Sequence, residues 1–162
     1  MNQIPNLDSL LAKKVFVCDM DGVLYRGNQL LPGVLQFVEW LKANKNFLFL
    51  TNDSTRTPRE LSEKLYRMGI EVDPKHFFTS ALATARYLAR QKPKGSAYVI
   101  GEPALMGALY EAGYSMNDSN PDYVVLGESR NFNFDILTKA IRLINNGARF
   151  IATNPDATGP SS

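Results

Sequence analysis

The sequence predicts an α/β protein with a mainly parallel sheet, because short apolar segments alternate along the chain with segments of helical periodicity. The apolar runs are rich in β-branched and aromatic residues, and they lie at residues 15–18, 47–50, 77–80, 97–100, 123–126 and 149–152. Between most of these runs, apolar side chains recur every three or four positions, as in amphipathic helices. Strands that alternate with helices in this way form βαβ units, whose strands pair in parallel.

The first half of the chain is expected to hold three strands and two helices after an N-terminal arm, with the third strand at residues 77–80. The arm extends to Lys14 and contains one helical turn at residues 7–11. The first strand is followed by a loop over 22–31 and by a helix with apolar residues at Val34, Phe37, Val38 and Leu41. The second strand is followed by a helix with a capping box, formed by the residues Thr57 and Glu60.

The second half of the chain continues the same alternation. Helices are expected at 81–91, 103–112 and 134–145, each between two strands. The Pro-Lys-Gly sequence at 93–95 predicts a turn and a candidate linker. Residues 153–162 are expected to form a loop-like tail.

Composition limits the class of protein. The chain has 162 residues and is 44% hydrophobic, which is enough for one ordinary domain or two small ones. Its net charge of +2 and its scattered basic residues do not favour nucleic acid or a membrane as the partner. The single cysteine, Cys18, excludes an internal disulfide framework. With no signal-peptide pattern and no apolar run of about 20 residues, a cytoplasmic protein is expected.

The apolar run at residues 15–18 predicts a buried first strand. Two acids follow this strand and are separated by one residue. Because side chains at i and i+2 of an extended chain point to the same side, Asp19 and Asp21 are expected to face one centre. Their mutual repulsion favours a bound divalent metal, and Gly22 lets the chain turn away immediately after them. The alternative is that Asp-x-Asp-Gly only forms a turn, as it often does in loops.

A second polar cluster follows the next strand. Thr51 and Asn52 offer a hydroxyl and an amide that can hold phosphate oxygens, although these residues can also simply cap a strand. In a sheet built from right-handed βαβ units, the carboxyl ends of the strands lie at one edge. Asp19, Asp21, Thr51 and Asn52 are therefore expected to converge.

Several stretches resemble a known family in the expected order. Residues 19–25 resemble the first motif of haloacid dehalogenase-type phosphatases, and residues 50–52 resemble the second. The later part of the chain resembles the NagD-like phosphatases of this family, at residues 79–81, 101–102, 120–128 and 147–156. The resemblance implies a Rossmann-like parallel sheet core, incomplete here, with an inserted α/β cap. The core would occupy residues 1–80, and the cap, which is also interpreted as incomplete, would occupy residues 81–162.

The resemblance also implies a Mg²⁺-dependent phosphatase that acts on small phosphate esters such as nucleotide or sugar phosphates. Asp19 would be the nucleophile that forms an aspartyl-phosphate, and Asp21 would be the general acid and base. Mg²⁺ would be held by the Asp19 carboxylate and the Asp21 backbone carbonyl. Thr51 and Asn52 would bind the transferring phosphoryl group.

The chain departs from the family pattern at two places. Asp53 stands where the subfamily usually has asparagine, which puts a third acid near the phosphate. The lysine and the Gly-Asp motif that the family carries after its cap have no match, so the chain is interpreted as the first two-thirds of such an enzyme. Its nucleophile strand would then be an exposed apolar edge. The isolated chain is expected to be unstable, oligomeric or nearly inactive.

Two other interpretations compete with the phosphatase. The first is a non-catalytic module that binds phosphate or Mg²⁺, or accepts a phosphoryl group, and signals by a change of shape. The second is the metal site of a nucleotide-sugar transferase, for which no other donor-binding signature is found. In the cap region, Asn154 and Asp156 follow the last strand and are candidates to reach the substrate.

Overall fold

The computed structural model describes residues 7–156 and contains strands and helices in the predicted alternation. The strands are β1 Val15–Asp19, β2 Tyr25–Arg26, β3 Gln29–Leu30, β4 Asn46–Thr51, β5 Phe77–Thr79, β6 Ser96–Ile100, β7 Ser115–Met116, β8 Tyr123–Leu126 and β9 Arg149–Ala152. The helices are α1 Leu7–Leu11, α2 Val34–Asn44, α3 Pro58–Arg67, α4 Ser80–Gln91, α5 Pro103–Glu111 and α6 Phe134–Asn145, with a short 3₁₀ helix at Pro74–His76. The start of the predicted arm and the end of the predicted tail lie outside the described residues.

The first sheet has the strand order β1-β4-β5, and both pairings are parallel, as predicted. Asp19 pairs with Leu50, and Thr51 pairs with Thr79. The carboxyl ends of these strands therefore lie side by side at one edge of the sheet. This register brings the two predicted polar clusters next to each other.

Within residues 7–156, the core of the first sheet lies on one face only. Helices α2 and α3 cover this face, where Phe49, Leu61 and Leu65 are fully buried. On the opposite face, Val17 is 61% exposed and Leu50 is 43% exposed. The prediction of a buried first strand is therefore wrong, because no described residue covers its outer face. The predicted apolar edge agrees with the structure: among the described residues, β1 pairs with β4 alone.

We expect the isolated chain to self-associate through this uncovered face, and Val17→Lys to weaken that association. Lysine places a charge on an edge strand, where it opposes pairing and packing with a second chain. Sedimentation velocity over a range of concentrations measures the change. Tyr110→Lys is the control, because Tyr110 on α5 is 74% exposed and lies away from this sheet. A wild-type chain that stays monomeric at every concentration contradicts the prediction.

The second sheet has the order β7-β6-β8-β9, with all pairings parallel, and it is covered on both faces. Helices α4 and α5 pack on one face with Leu88, Leu105 and Tyr114. Helix α6 packs on the other through Ala140 and Leu143. This double cover explains why β8 reads as a continuous apolar run.

Three local features differ from the sequence-based expectations. The predicted loop over residues 22–31 contains the antiparallel β2–β3 hairpin, and β7 is an additional strand. Residues 93–95 form the predicted turn but not a linker between units. The turn joins α4 to β6 within one core, where the Tyr114 hydroxyl donates to the backbone oxygens of Leu88 and Lys92.

The predicted capping box at the start of α3 is confirmed. The Thr57 hydroxyl accepts a hydrogen bond from the Glu60 backbone N–H at 3.2 Å, and the Glu60 carboxylate accepts one from the Thr57 N–H at 2.7 Å. This cap fixes the beginning of α3, which follows the polar turn after β4. Among residues 7–156, no helix combines the length and the apolar character that crossing a membrane requires.

Candidate functional site

Asp19 is the last residue of β1 and is exposed at the carboxyl edge of the first sheet. Its Oδ1 accepts a hydrogen bond from the Met20 backbone N–H at 2.8 Å. Met20 itself is fully buried in the core below. The carboxylate is therefore accessible to a ligand while the backbone beneath it is anchored.

The turn that carries Asp21 is tightly closed. The Gly22 N–H donates to the Tyr25 backbone oxygen at 2.8 Å, and the Leu24 N–H donates to the Met20 oxygen at 2.8 Å. Gly22 has a φ of 77°, a conformation that favours glycine. The predicted sharp turn after the two acids is thus confirmed, and the buried ring of Tyr25 supports it from below.

Asp21 is half-buried, and its electrostatic surroundings differ from those of an ordinary aspartate. Burial raises the pKa of Asp21 and is the largest cause, while the positive charge of Lys64 acts in the opposite direction. The charge of Asp19 also raises this pKa but contributes least of the causes identified. The Lys64 Nζ lies 3.8 Å from the centroid of the Tyr25 ring, beneath the same turn. The pKa of Asp21 is therefore raised mainly by desolvation, and only slightly by repulsion between the two acids.

Thr51 and Asn52 both make hydrogen bonds within the protein. Thr51 is buried, and its hydroxyl oxygen accepts from the Asp53 N–H at 3.2 Å. The Asn52 side-chain Nδ2 donates to the Asp156 carboxylate at 2.7 Å. The structure places both residues beside Asp19 at the sheet edge, and their role in binding phosphate stays a prediction.

Asp53, the unusual third acid, is held inside the turn after β4. Its carboxylate accepts hydrogen bonds from the Thr55 N–H and hydroxyl, both at 2.6 Å, and pairs with Arg56 at 2.7 Å. Its side chain is only 9% exposed. Burial alone would raise the pKa of Asp53, but the Thr55 hydrogen bonds and the Arg56 charge outweigh it and lower this pKa. The extra negative charge is therefore compensated locally.

We expect Asp53→Asn to cost about 1 kcal/mol of stability at neutral pH, since the Arg56 partner is partly exposed. The folded-state pKa is below the unfolded value of about 3.9, so the carboxylate stabilises the fold above that pH. This contribution is lost as the pH falls through the folded pKa. Urea unfolding at several pH values measures it. Asp135→Asn, at an exposed acid of α6, is the control; a pH-independent difference between wild type and Asp53→Asn contradicts the prediction.

Loops that follow strands of the second sheet also reach the turn after β4. The buried Ser54 hydroxyl accepts a hydrogen bond from the Glu128 backbone N–H at 3.1 Å. A Cβ atom at Gly127 would lie 3.0 Å from the Ser54 Oγ, so the two loops are in close contact.

Sequence reasoning missed these contacts and the Asp53–Arg56 pair. The Asp-x-Thr pattern at 53–55 is typical of an Asx turn, and it could have indicated the turn that holds Asp53 beside Arg56.

The donor set at the sheet edge fits a magnesium ion. Asp19 and Asp21 could offer a carboxylate and a backbone carbonyl oxygen to a cation. Mg²⁺ is commonly held by one or two carboxylates together with waters and substrate phosphate oxygens. Within the described part of the chain, no group of three or more His, Cys, Asp or Glu side chains could hold a metal ion. The described residues thus suit a metal completed by other oxygens, rather than a closed protein cage.

Comparison with known proteins identifies the relatives of the chain. The family of haloacid dehalogenase-like hydrolases matches residues 16–115. A dihydroxyacetone phosphatase of Corynebacterium glutamicum (strain R) is 48% identical over 147 residues, which are 90% of this chain and 54% of that protein. The ribonucleotide monophosphatase NagD of Escherichia coli K12 is 44% identical over 90% of this chain and 58% of its own length.

Solved structures agree with these matches. The structure of NagD from E. coli K-12 superposes with a TM-score of 0.85 at 43% identity, over 92% of this chain and 59% of that chain. A glycerol phosphate phosphatase from Mycobacterium tuberculosis, solved in complex with calcium, gives a TM-score of 0.83 at 28% identity, over 91% of this chain and 44% of that one. The chain spans a little more than half the length of the curated relatives it matches. It belongs to the haloacid dehalogenase-like hydrolases and is NagD-like.

Proposed function

We propose that this chain carries the nucleophile and the acid–base group of a Mg²⁺-dependent phosphatase that hydrolyses small phosphate esters through an aspartyl-phosphate. The observation that carries the proposal is the pairing of an exposed Asp19 with a half-buried Asp21 at the carboxyl edge of a parallel sheet. Ligands of open α/β sheets bind at this edge. The phosphatases among the relatives support the same substrate class.

In the proposed mechanism, an Asp19 carboxylate oxygen attacks phosphorus and the bond to the ester oxygen breaks. Asp21, whose pKa is raised by burial, donates a proton to the departing oxygen. Asp21 then takes a proton from a water molecule as this water attacks the phosphorus. The Asp19–phosphorus bond breaks and inorganic phosphate leaves.

The groups around Asp19 would bind and orient the phosphoryl group. The Thr51 hydroxyl oxygen accepts from the Asp53 N–H, which leaves its own proton to donate to a phosphoryl oxygen. The Asn52 amide would donate a second hydrogen bond. A bound Mg²⁺, held by the Asp19 carboxylate and the Asp21 carbonyl, would supply positive charge that neutralises the phosphoryl oxygens.

We also propose that residues 1–80 belong to the catalytic core and residues 81–162 to the cap that selects the substrate. The distribution of buried apolar residues supports this division. The core cluster packed beneath the first sheet extends to Phe77, and the cluster around the second sheet begins at Ala81. The loops after β8 and β9 would then face the substrate from the cap side.

The test combines the chain with MgCl₂ and p-nitrophenyl phosphate. Released inorganic phosphate is measured over time. The intact mass of acid-quenched protein is measured by mass spectrometry to detect an aspartyl-phosphate. We expect the covalent intermediate and slow but measurable release, because the isolated chain is expected to be nearly inactive. An aspartyl-phosphate that accumulates without release would favour the phospho-accepting module instead. The absence of both contradicts the proposal.

A further inference from the structure

The Asn52 amide, a proposed phosphate ligand, is already engaged by an acid from the second sheet. Its Nδ2 donates to the Asp156 Oδ2 at 2.7 Å, and both residues are exposed. Asn52 directly follows β4, whereas Asp156 lies four residues beyond the end of β9. The contact therefore joins segments 104 residues apart in the chain.

The hydrogen bond is part of a wider attachment of residues 153–156 to the turn after β4. The Asn154 Nδ2 donates to the Asn52 backbone oxygen at 3.3 Å, and the Ser80 hydroxyl donates to the same oxygen at 2.7 Å. At its other end, the Thr153 N–H donates to the Leu126 oxygen at 2.9 Å. The segment is thus anchored on the second sheet and rests on the proposed phosphate-binding turn.

A carboxylate and a phosphoryl group both accept hydrogen bonds from an amide N–H. Both are oxyanions that accept a short hydrogen bond from N–H, and their like charges repel when they lie close together. A phosphoryl group that approached Asn52 would therefore meet a negative charge on the donor it needs. The occupied amide and the repulsion both oppose binding while the Asp156 contact is intact.

We propose that Asp156 competes with the phosphoryl group for the Asn52 amide, so that residues 153–156 form a strap that releases Asn52 when phosphate binds. The proposal rests on the phosphate-binding role proposed above for Asn52. It assigns to the segment after β9 a direct influence on phosphate affinity. The attachment to Ser80 holds the Asn52 backbone in place while the side chain changes its partner.

The test measures the dissociation constant of inorganic phosphate by isothermal titration calorimetry in the presence of MgCl₂. Asp156→Ala is expected to bind phosphate about threefold to tenfold more tightly than wild type, because a charge-assisted but exposed hydrogen bond is removed. Asn52→Ala is expected to bind more weakly. In the Asn52→Ala background, Asp156→Ala should bring no further gain. Asp73→Ala is the control, at an exposed acid near the amino end of β5.

The possible outcomes distinguish a failure of the competition from a failure of the phosphate-binding role of Asn52. An equal gain from Asp156→Ala with and without Asn52 would reflect only the loss of a negative charge and overturns the competition. An unchanged affinity in Asp156→Ala overturns the competition as well. A weaker affinity also overturns it, and indicates that Asp156 holds Asn52 in place for phosphate. If phosphate binds but Asn52→Ala does not weaken it, or if no variant binds phosphate, the assigned role of Asn52 fails and the competition fails with it.

Discussion

Replacing Asp19 with asparagine is expected to lower phosphate release by on the order of 10³-fold or more and to eliminate the aspartyl-phosphate. The amide is nearly the same size as the carboxylate, and its oxygen can still accept the hydrogen bond from the Met20 N–H. Because Asp19 is exposed, the substitution buries no unpaired group. The loss therefore reports the missing nucleophile rather than a disturbed fold. Intact mass after acid quenching and a phosphate-release assay measure the two effects.

Asp21→Asn is the informative companion variant. With p-nitrophenyl phosphate, the departing phenolate needs little help from a general acid, so Asp19 should still become phosphorylated. Hydrolysis of the aspartyl-phosphate needs a base, so the intermediate should accumulate. Circular dichroism checks that both variants keep the wild-type fold. Turnover that survives in Asp19→Asn refutes the assignment of the nucleophile.

Phe49→Ala is expected to destabilise the chain by about 3–5 kcal/mol, the range typical of large aromatic truncations in a core. Phe49 is fully buried on β4, with ring centroids 5.3 Å from Phe47 and 5.6 Å from Phe77. Its removal leaves a cavity at the centre of the face of the first sheet that the described helices cover. Such a loss is a large share of the roughly 5–15 kcal/mol that stabilises an ordinary domain. Urea unfolding, followed by circular dichroism, measures it.

Leu50→Ala provides a matched control on the same strand. The Leu50 side chain points to the opposite, uncovered face and is 43% exposed. Its truncation should cost much less, about 1 kcal/mol or below. Similar costs for the two variants would mean that the outer face is packed in solution, for example by a second copy. Repeating the measurement at several protein concentrations distinguishes the two explanations. Packing against a second copy depends on concentration, whereas packing within one chain does not.

Features encoded by neighbouring residues could be predicted from the sequence. The parallel strands follow from the alternation of apolar and helical segments, and the cap of α3 follows from Thr57 and Glu60. The turn at Gly22 follows from glycine's freedom to adopt a positive φ. The β2–β3 hairpin escaped prediction because strands of two residues show no periodicity. Local propensity therefore accounts for most of the element order.

Contacts between distant segments could not be predicted in this way. The apolar side chains of β1 indicate a strand, but they do not reveal whether another layer covers Val17. The partner of Asn52 lies 104 residues away, and neither residue carries a periodic signal that points to the other. The desolvation that raises the pKa of Asp21 depends on packing around the folded turn. The site's residue types were predictable, whereas their partners and charge states required the folded chain.

The one-sided core of the first sheet has a consequence for synthesis on the ribosome. All three of its strands and both covering helices come from one continuous segment, residues 15–79. This segment is translated before any strand of the second sheet and is therefore the first to leave the exit tunnel. Since domains generally fold as units during translation, β1, which carries the proposed nucleophile Asp19, can be paired and packed early. Its bare outer face would then be exposed to chaperones and to neighbouring nascent chains throughout the rest of elongation.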